Sequence, residues 1–137
     1  VLDSVDAVYV ASGSTFALLD ALRATGTDRL LAQRVRAGLP YIGASAGSIV
    51  AGPSIAPASL MDDPADAPSL TDYAGLGLVS VVVIPHADGQ LPPYPTSLIA
   101  QTLTTYGTDH ALCPVNDDQA LLVTNGAARL ISSPQLS

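Results

Sequence analysis

The sequence predicts an α/β domain built on a parallel sheet, and the order of its apolar segments is the main reason. Residues 5–10 and 79–84 are compact apolar runs with β-branched side chains, typical of strands buried in a parallel sheet. Residues 39–44 are a third strand candidate, and segments with helical spacing of apolar residues separate it from the first. A strand, a helix and a strand in this order imply a right-handed crossover with helices covering the sheet.

Three helices are predicted in the first half of the chain. The first starts at Thr15 and stops at Gly26, and the second, residues 28–37, starts at an acidic cap candidate. The strand at 39–44 then leads into a third helix, which is short because Gly52-Pro53 would end it. These elements account for one crossover of the sheet.

The second half of the chain begins with a long connection. Residues 52–78 are rich in Pro, Ala, Ser, Asp and Gly, and loops of this length in a compact domain usually cover or shape a site. After the strand at 79–84, the predicted elements are a helix at 96–105 and a hairpin whose strands, 120–124 and 128–132, are joined by Asn125-Gly126. We see no internal repeat and no domain boundary, so residues 1–137 are expected to form a single domain.

The predicted parallel sheet is small. Three such strands would leave a long apolar edge exposed, and the sequence opens almost at once into what resembles a central strand. We therefore expect that a missing N-terminal segment, or association with another chain, completes the sheet.

The charge composition excludes several classes of function. All twelve acids are Asp and all five bases are Arg, which gives a formal net charge of −7. This charge repels nucleic acid and anionic membranes, so we expect a neutral or amine-bearing partner. No apolar run approaches the roughly 20 residues of a membrane span, and no signal peptide is visible, so a cytoplasmic location is expected.

The cysteine and histidine content argues against disulfides and metal clusters. Cys113 is the one cysteine, so no internal disulfide can form, and we expect it to be a buried apolar residue. His86 and His110 are the two histidines, and with Cys113 they show no metal-ligand spacing. No metal or other cofactor is predicted, and His110, which belongs to no motif, is expected to be structural.

Ser45 is the strongest candidate for a nucleophile. It stands at the centre of Gly43-Ala44-Ser45-Ala46-Gly47, where a strand is predicted to turn sharply into a helix. The glycines allow the tight turn, and the amide of Ala46 at the helix start would point at the oxygen that gains charge when Ser45 attacks a carbonyl. The alternative is a turn of small residues at which strand and helix simply pack closely.

Four segments of the chain resemble the peptidase E family of serine peptidases. Ala-Ser-Gly-Ser-Thr-Phe at residues 11–16 is similar to the family's Gly-Gly-Gly-Asn-Thr-Phe, and residues 41–47 resemble its nucleophile turn. Ile-Pro-His at 84–86 resembles its Asn-Pro-His, and residues 116–121 resemble the late turn that carries its acidic residue. The family's better-known members are aspartyl dipeptidases, and cyanophycinases are more distant relatives.

The resemblance implies both a fold and a set of catalytic residues. The fold would be the flavodoxin-like parallel sheet, with helices on both faces, that class I glutamine amidotransferases share, and this chain would be its C-terminal two-thirds. Ser45 would be the nucleophile, His86 the general base, and Asp117 the acid, which is normally Glu. The amides of Gly13 and Ala46 would be the oxyanion donors. The amidotransferases have cysteine at the nucleophile position, so Ser45 favours a peptidase.

Several further residues are candidates for substrate binding. Asp62 and Asp63 lie in the long connection near the position of an acidic residue in the family, and they could bind a substrate's amine or be solvated and cap a turn. We expect the second role for Asp62 and carry Asp63 as a substrate-binding candidate. Ser14, Tyr73 and Asp88 are also expected to line the pocket.

The sequence departs from the aspartyl dipeptidases where they receive the substrate's acidic side chain. In those enzymes an arginine-bearing segment follows the catalytic histidine, but here no Arg or Lys occurs between Arg36 and Arg129. A buried carboxylate would have no cationic partner in such a site. Pro92, Pro93 and Tyr94 instead favour a more apolar pocket, so specificity for N-terminal Asp is doubtful.

These observations predict a serine exopeptidase of peptidase E type that hydrolyses short peptides or a related small amide. A second hypothesis is a family member that keeps the fold but binds a small ligand or a protein without turnover. It is motivated by the expected missing N-terminal segment and by Ser12 and Ser14, which replace the family's Gly and Asn beside the oxyanion amide.

Overall fold

The computed structural model describes residues 2–11 and 13–133, and helices and strands alternate along most of this length. The strands are β1 (Val8–Val10), β2 (Tyr41–Gly43), β3 (Val82–Ile84), β4 (Leu112–Pro114), β5 (Gln119–Thr124) and β6 (Ala127–Ser132). The helices are α1 (Thr15–Ala24), α2 (Thr27–Arg36), α3 (Ala46–Ile49) and α4 (Thr96–Tyr106), with short 3-10 turns at Leu2–Ser4, Ala56–Leu60 and Pro64–Asp66. No described helix has both the length and the apolar character needed to cross a bilayer.

Strand pairing agrees with the predicted fold class. Strands β1 and β2 pair in parallel, with Val10 opposite Gly43, and β3 pairs with β4 in parallel, with Ile84 opposite Pro114. Strands β5 and β6 form an antiparallel hairpin around Asn125-Gly126, where both residues have positive φ. The predicted parallel crossover and the predicted hairpin are thus confirmed.

The prediction of three parallel strands was wrong, because β4 is a fourth. Only three residues of it pair, and one of them is Pro114, so the segment lacks a recognisable apolar run. Cys113 lies in β4 and is half-buried rather than buried, and its burial raises the pKa of the thiol. The predicted strands at 5–10 and 79–84 are also shorter than expected, because each pairs only over its last three residues.

The hydrophobic core forms between the helices and the inner strands. Strand β3 is buried at all three positions, and Phe16 and Leu19 of α1 and Ile49 of α3 are buried in the same apolar cluster as Val82 and Ile84. The long connection contributes directly, with Ile55, Ala58, Ala67, Leu70 and Leu76 all buried. Residues 52–78 are therefore part of the packed body of the molecule, and they can hold a side chain in a fixed place.

One face of the β1–β2 pair remains apolar and exposed. Tyr9 and Ile42 lie opposite each other in the ladder and are 64% and 55% exposed. That a further segment or a second chain completes the sheet stays a prediction, as does the cytoplasmic location.

Candidate active site

Ser45 lies in a sharp turn between β2 and α3. Its backbone has φ 54° and ψ −115°, a conformation that residues with a Cβ rarely adopt. The turn brings α3 so close to the strands that a Cβ on Gly47 would overlap the carbonyl oxygen of Val10, and one on Gly43 would lie 2.5 Å from the carbonyl oxygen of Gly47. Glycine at both positions is therefore a steric requirement of this turn.

Hydrogen bonds hold the turn in this conformation. The Tyr41 hydroxyl donates to the carbonyl oxygen of Gly47 at 2.6 Å, and the amide of Ala44 donates to the carbonyl oxygen of Val10 at 2.9 Å. Burial raises the pKa of Tyr41 well above its ordinary value, so the phenol remains a donor over the whole physiological range. The Ser45 side chain thus projects from a fixed support.

His86 follows the buried strand β3 and lies between Ser45 and Asp117. Its Nε2 is 3.2 Å from Ser45 Oγ, and its Nδ1 is 2.6 Å from Asp117 Oδ1. The His86 side chain is 19% exposed and that of Asp117 is 43% exposed, so this group lies at the surface of the sheet's carboxyl end. The structure brings together the three residues that the sequence picked out as a catalytic group.

Asp88 supports this group from behind. Its Oδ2 accepts a hydrogen bond from the amide of Asp117 at 3.3 Å, and its Oδ1 accepts one from the amide of Gln90 at 3.4 Å. Asp88 does not line the cavity, so its place is beside the acidic residue rather than in the expected pocket. Of the two neighbouring aspartates in the late turn, Asp117 rather than Asp118 is the one bonded to the imidazole.

Of the two expected oxyanion donors, Gly13 shares the cavity lining with Ser45, and Ala46 directly follows the serine in the chain. Gly13 lines the cavity with φ 133°, and Ala46 is the first residue of α3, where a helical amide has no acceptor within its own helix. Ser14 also lines the cavity, and its Oγ caps α1 by accepting a hydrogen bond from the amide of Ala17 at 3.4 Å. Ser12 lies outside the described residues.

An open cavity of about 510 Å³ lies over the serine. It is lined by Gly13, Ser14, Ser45, Asp62, Asp66, His86, Leu91, Pro93 and Tyr94. In the part of the chain that the structure describes, this lining includes two carboxylates and an apolar side but no Arg or Lys, in keeping with the missing cation that the sequence revealed. Among the described residues, no group of three His, Cys, Asp or Glu side chains could hold a metal ion.

The expectations for Asp62 and Asp63 were reversed. Asp63 is exposed, its Oδ1 accepts a hydrogen bond from the amide of Ala65 at 2.9 Å, and it caps the following 3-10 turn without lining the cavity. Asp62 is half-buried and lines the cavity, with its Oδ2 bonded to the Thr15 amide at 2.9 Å and hydroxyl at 2.5 Å. The physical reason is that two adjacent residues at the start of a turn have side chains that point in different directions.

Tyr73 was also expected in the pocket and is not there. Its ring packs edge-to-face on Phe16, with centroids 5.2 Å apart, on the core side of the long connection. Sequence reasoning missed Thr15 and Asp66 and gave Tyr94 only a general apolar role. The signal in the sequence that could have identified Thr15 is that it is a polar residue directly after the Gly13 loop.

Comparisons with known proteins show the family to which this chain belongs. The sequence model of peptidase family S51 matches residues 1–131. An uncharacterized peptidase of Pasteurella multocida is 40% identical over 119 residues, which are 86% of this chain and 56% of that protein. A peptidase E of Streptomyces coelicolor is 45% identical over 85 residues, which are 62% of this chain and 33% of that protein.

A solved structure gives the same result. The crystal structure of a peptidase E candidate from Listeria monocytogenes EGD-e superposes with a TM-score of 0.87 at 30% sequence identity, covering 97% of this chain and 62% of that one. The predicted flavodoxin-like, amidotransferase-like α/β fold is thereby confirmed. The chain spans about half the length of the curated relatives it matches. With a family match over nearly all its residues, this chain belongs to peptidase family S51, as its resemblance to peptidase E implied.

Proposed function

We propose that this chain carries the active site of a serine exopeptidase of peptidase E type that hydrolyses short peptides or a related small amide. The observation that carries the proposal is the continuous contact from Ser45 Oγ through both ring nitrogens of His86 to Asp117. Family membership supports the same chemistry. The amide of Ala46 next to the serine, the amide of Gly13 in the same cavity lining and the open cavity itself are proposed as the other parts that acyl transfer needs.

The proposed reaction uses each residue for one task. His86 Nε2 takes the proton of the Ser45 hydroxyl as Oγ attacks the scissile carbonyl carbon, and Asp117 holds the imidazole tautomer and stabilises the imidazolium. The carbonyl oxygen becomes an oxyanion that accepts hydrogen bonds from the amides of Gly13 and Ala46. The imidazolium then protonates the leaving amine as the C–N bond breaks, which leaves an ester on Ser45. Water hydrolyses this ester by the same proton transfers.

The cavity also bears on the substrate. Its volume of about 510 Å³ is within the range of sites that take small molecules, which suits a short peptide. Asp62 and Asp66 make its lining negative, and none of the described lining residues is a cation that could receive a substrate carboxylate. Short peptides with a free amine and a neutral side chain therefore suit the site better than peptides that begin with Asp.

Active-site labelling tests the proposal. The full chain is treated with a small fluorophosphonate, and we expect one equivalent on Ser45, none in Ser45→Ala, and normal labelling in the matched control Ser69→Ala, an exposed serine of the long connection. A panel of dipeptides should show hydrolysis that disappears in His86→Ala. A folded wild-type chain that is neither labelled nor active would overturn the proposal and favour a ligand- or protein-binding member of the family.

A further inference from the structure

The imidazole of His86 has two ring nitrogens, and described residues bind both of them. Both bonds lie at ring nitrogens, Nδ1 to Asp117 and Nε2 to Ser45. Such bonds fix the ring along the line that joins the nitrogens, but a tilt about this line lengthens neither of them much. Proton transfer from a serine that attacks a carbonyl needs the ring in one plane, since misplacement of reacting groups by about 1 Å can cost 10²-fold in rate.

An aromatic ring covers one face of this imidazole. The Tyr94 ring lies parallel to that of His86, with an interplanar angle of 8° and centroids 5.5 Å apart. This offset parallel arrangement is a favourable one for two aromatic rings. A flat ring against one face opposes the tilt that the two hydrogen bonds leave free.

Tyr94 is itself held at both ends. Its amide donates to the carbonyl oxygen of Leu91 at 2.8 Å, and its hydroxyl donates to Asp62 Oδ1 at 3.3 Å. Burial and the charge of Asp62 raise the pKa of the Tyr94 hydroxyl, so it stays protonated and able to donate. The other oxygen of Asp62 accepts two hydrogen bonds from Thr15, two residues after the expected oxyanion donor Gly13.

We propose that Tyr94 is a positioning residue for His86 and that Asp62 anchors it. The carboxylate ties three separate segments together: the start of α1 beside Gly13, the long connection that carries Asp62, and the segment after His86 that carries Tyr94. The imidazole plane and the oxyanion loop are thereby set by one shared side chain. The inference rests on the proposed function in giving His86 the proton transfer.

The first test measures the rate of labelling by a small fluorophosphonate. Tyr94→Leu, which removes the ring, should lower the second-order rate constant by about 10- to 10²-fold. Tyr94→Phe keeps the ring and loses only the hydroxyl, so it should recover most of this loss and remain within about fivefold of the wild type. In dipeptide hydrolysis the loss should fall mainly on kcat.

The matched control is Tyr106→Leu, which should label normally. The Tyr106 ring contacts the other histidine, His110, with ring centroids 6.2 Å apart.

The second test observes the imidazole directly and needs no catalysis. The chain has two histidines, so their ring-proton NMR signals can be assigned with His86→Ala. The stacked ring should shift the His86 signals upfield, Tyr94→Leu should abolish this shift, and Asp62→Asn should reduce it by loosening the anchor. Should Tyr94→Leu fail to fold, Asp62→Asn decides the matter.

The inference would be overturned by labelling of folded Tyr94→Leu at the wild-type rate, or by His86 signals that do not move in Asp62→Asn. A loss seen in KM alone would also contradict it, because Tyr94 would then merely contact the substrate. A wild-type chain that is never labelled but shows the upfield shift would reject the proposed function while it confirms the stacked geometry.

Discussion

Two residues of the site, Ser45 and His86, have backbone conformations that side-chain-bearing residues seldom adopt. Their φ angles are 54° and 58°, and such conformations cost on the order of 1–3 kcal/mol each. They persist because their surroundings fix them: Tyr41 bonds to the turn after Ser45, and a fully buried strand precedes His86. The strain is located where it directs a hydroxyl and an imidazole at each other.

Replacement of Asp117 tests the acidic member of the group. Asp117→Asn keeps the size of the side chain, but its amide can donate a hydrogen bond to Nδ1 and thus favour the tautomer that cannot accept the Ser45 proton. In serine peptidases this kind of change costs about 10⁴-fold in kcat, so we expect a loss of about 10³- to 10⁴-fold in dipeptide hydrolysis.

The control for this change is the adjacent residue. Asp118→Asn removes the same charge one position away and should leave kcat within about twofold, since surface substitutions usually have small effects. Equal losses of kcat in the two variants would show that activity depends on the charge of this turn and not on contact with the imidazole.

The sequence could place Ser45, His86 and Asp117 because each follows a predicted strand or turn and matches a family motif in order. It could not assign Asp62 and Asp63. Which of two neighbouring carboxylates faces the cavity depends on Thr15, which is 47 residues away along the chain. The stacking of Tyr94 on His86 depends in the same way on how a proline-rich segment folds back, and no local pattern encodes this.

At the scale of elements, the close contact between α3 and β1 decides whether the serine is presented at all. Helix α3 has only four residues and cannot be stable by itself, so it depends on packing against the strands. Gly47 is buried where a Cβ would meet the Val10 carbonyl oxygen. The turn, the helix and the strand therefore form one unit.

Gly47→Ala should disrupt the packing of α3 against β1. Because the added methyl group meets backbone rather than a flexible side chain, we expect a loss of about 1–3 kcal/mol in the free energy of unfolding, or more, and labelling of Ser45 reduced at least tenfold. Chemical denaturation and the labelling rate are the measurements.

Gly26→Ala is the matched control for the glycine change. Gly26 has φ 72°, and no heavy atom lies within 4 Å of the place that a Cβ would take, so the change there introduces backbone strain without a clash. It should lower stability but leave the labelling rate of the folded protein unchanged. Normal labelling of Gly47→Ala would show that α3 can move away from β1 without loss of the site.

Elements with a clear hydrophobic period or a turn signal in the sequence were predictable. Elements that are defined only by pairing with another strand were not. The dipeptide Asn125-Gly126 indicates its hairpin, and the helices end within one or two residues of the expected positions. Strand β4 is visible only through its ladder with β3, since a three-residue strand containing proline has no pattern of its own. The long connection was expected to cover the site, but its buried apolar residues show that it also builds the core.

At the scale of the whole molecule, the net charge of the chain and the charged residues of the cavity favour the same sign of ligand charge. The formal net charge is −7, the described lining of the cavity contains two carboxylates and no cation, and all five arginines lie outside it. Arg23 and Arg36 are instead used to bind carbonyl oxygens of the long connection. A field of this sign attracts cationic molecules and repels anionic ones.

This field predicts a selectivity that depends on salt. We expect kcat/KM at low ionic strength to be about tenfold higher for a lysyl p-nitroanilide than for its neutral Nε-acetyl analogue, and lower for an aspartyl than for an asparaginyl substrate. Both differences should shrink between 0.01 M and 1 M salt, because the screening length falls from about 30 Å to about 3 Å.

A double variant distinguishes the local from the global source of this selectivity. Asp62 and Asp66 both line the cavity, so Asp62→Asn/Asp66→Asn should remove most of the preference if it arises there. The matched variant Asp109→Asn/Asp118→Asn changes the net charge equally outside the cavity and should retain it. Salt-independent selectivity, or a preference for aspartyl over asparaginyl substrates, would contradict the prediction, because an anionic side chain would then have a cationic partner that the described cavity does not contain.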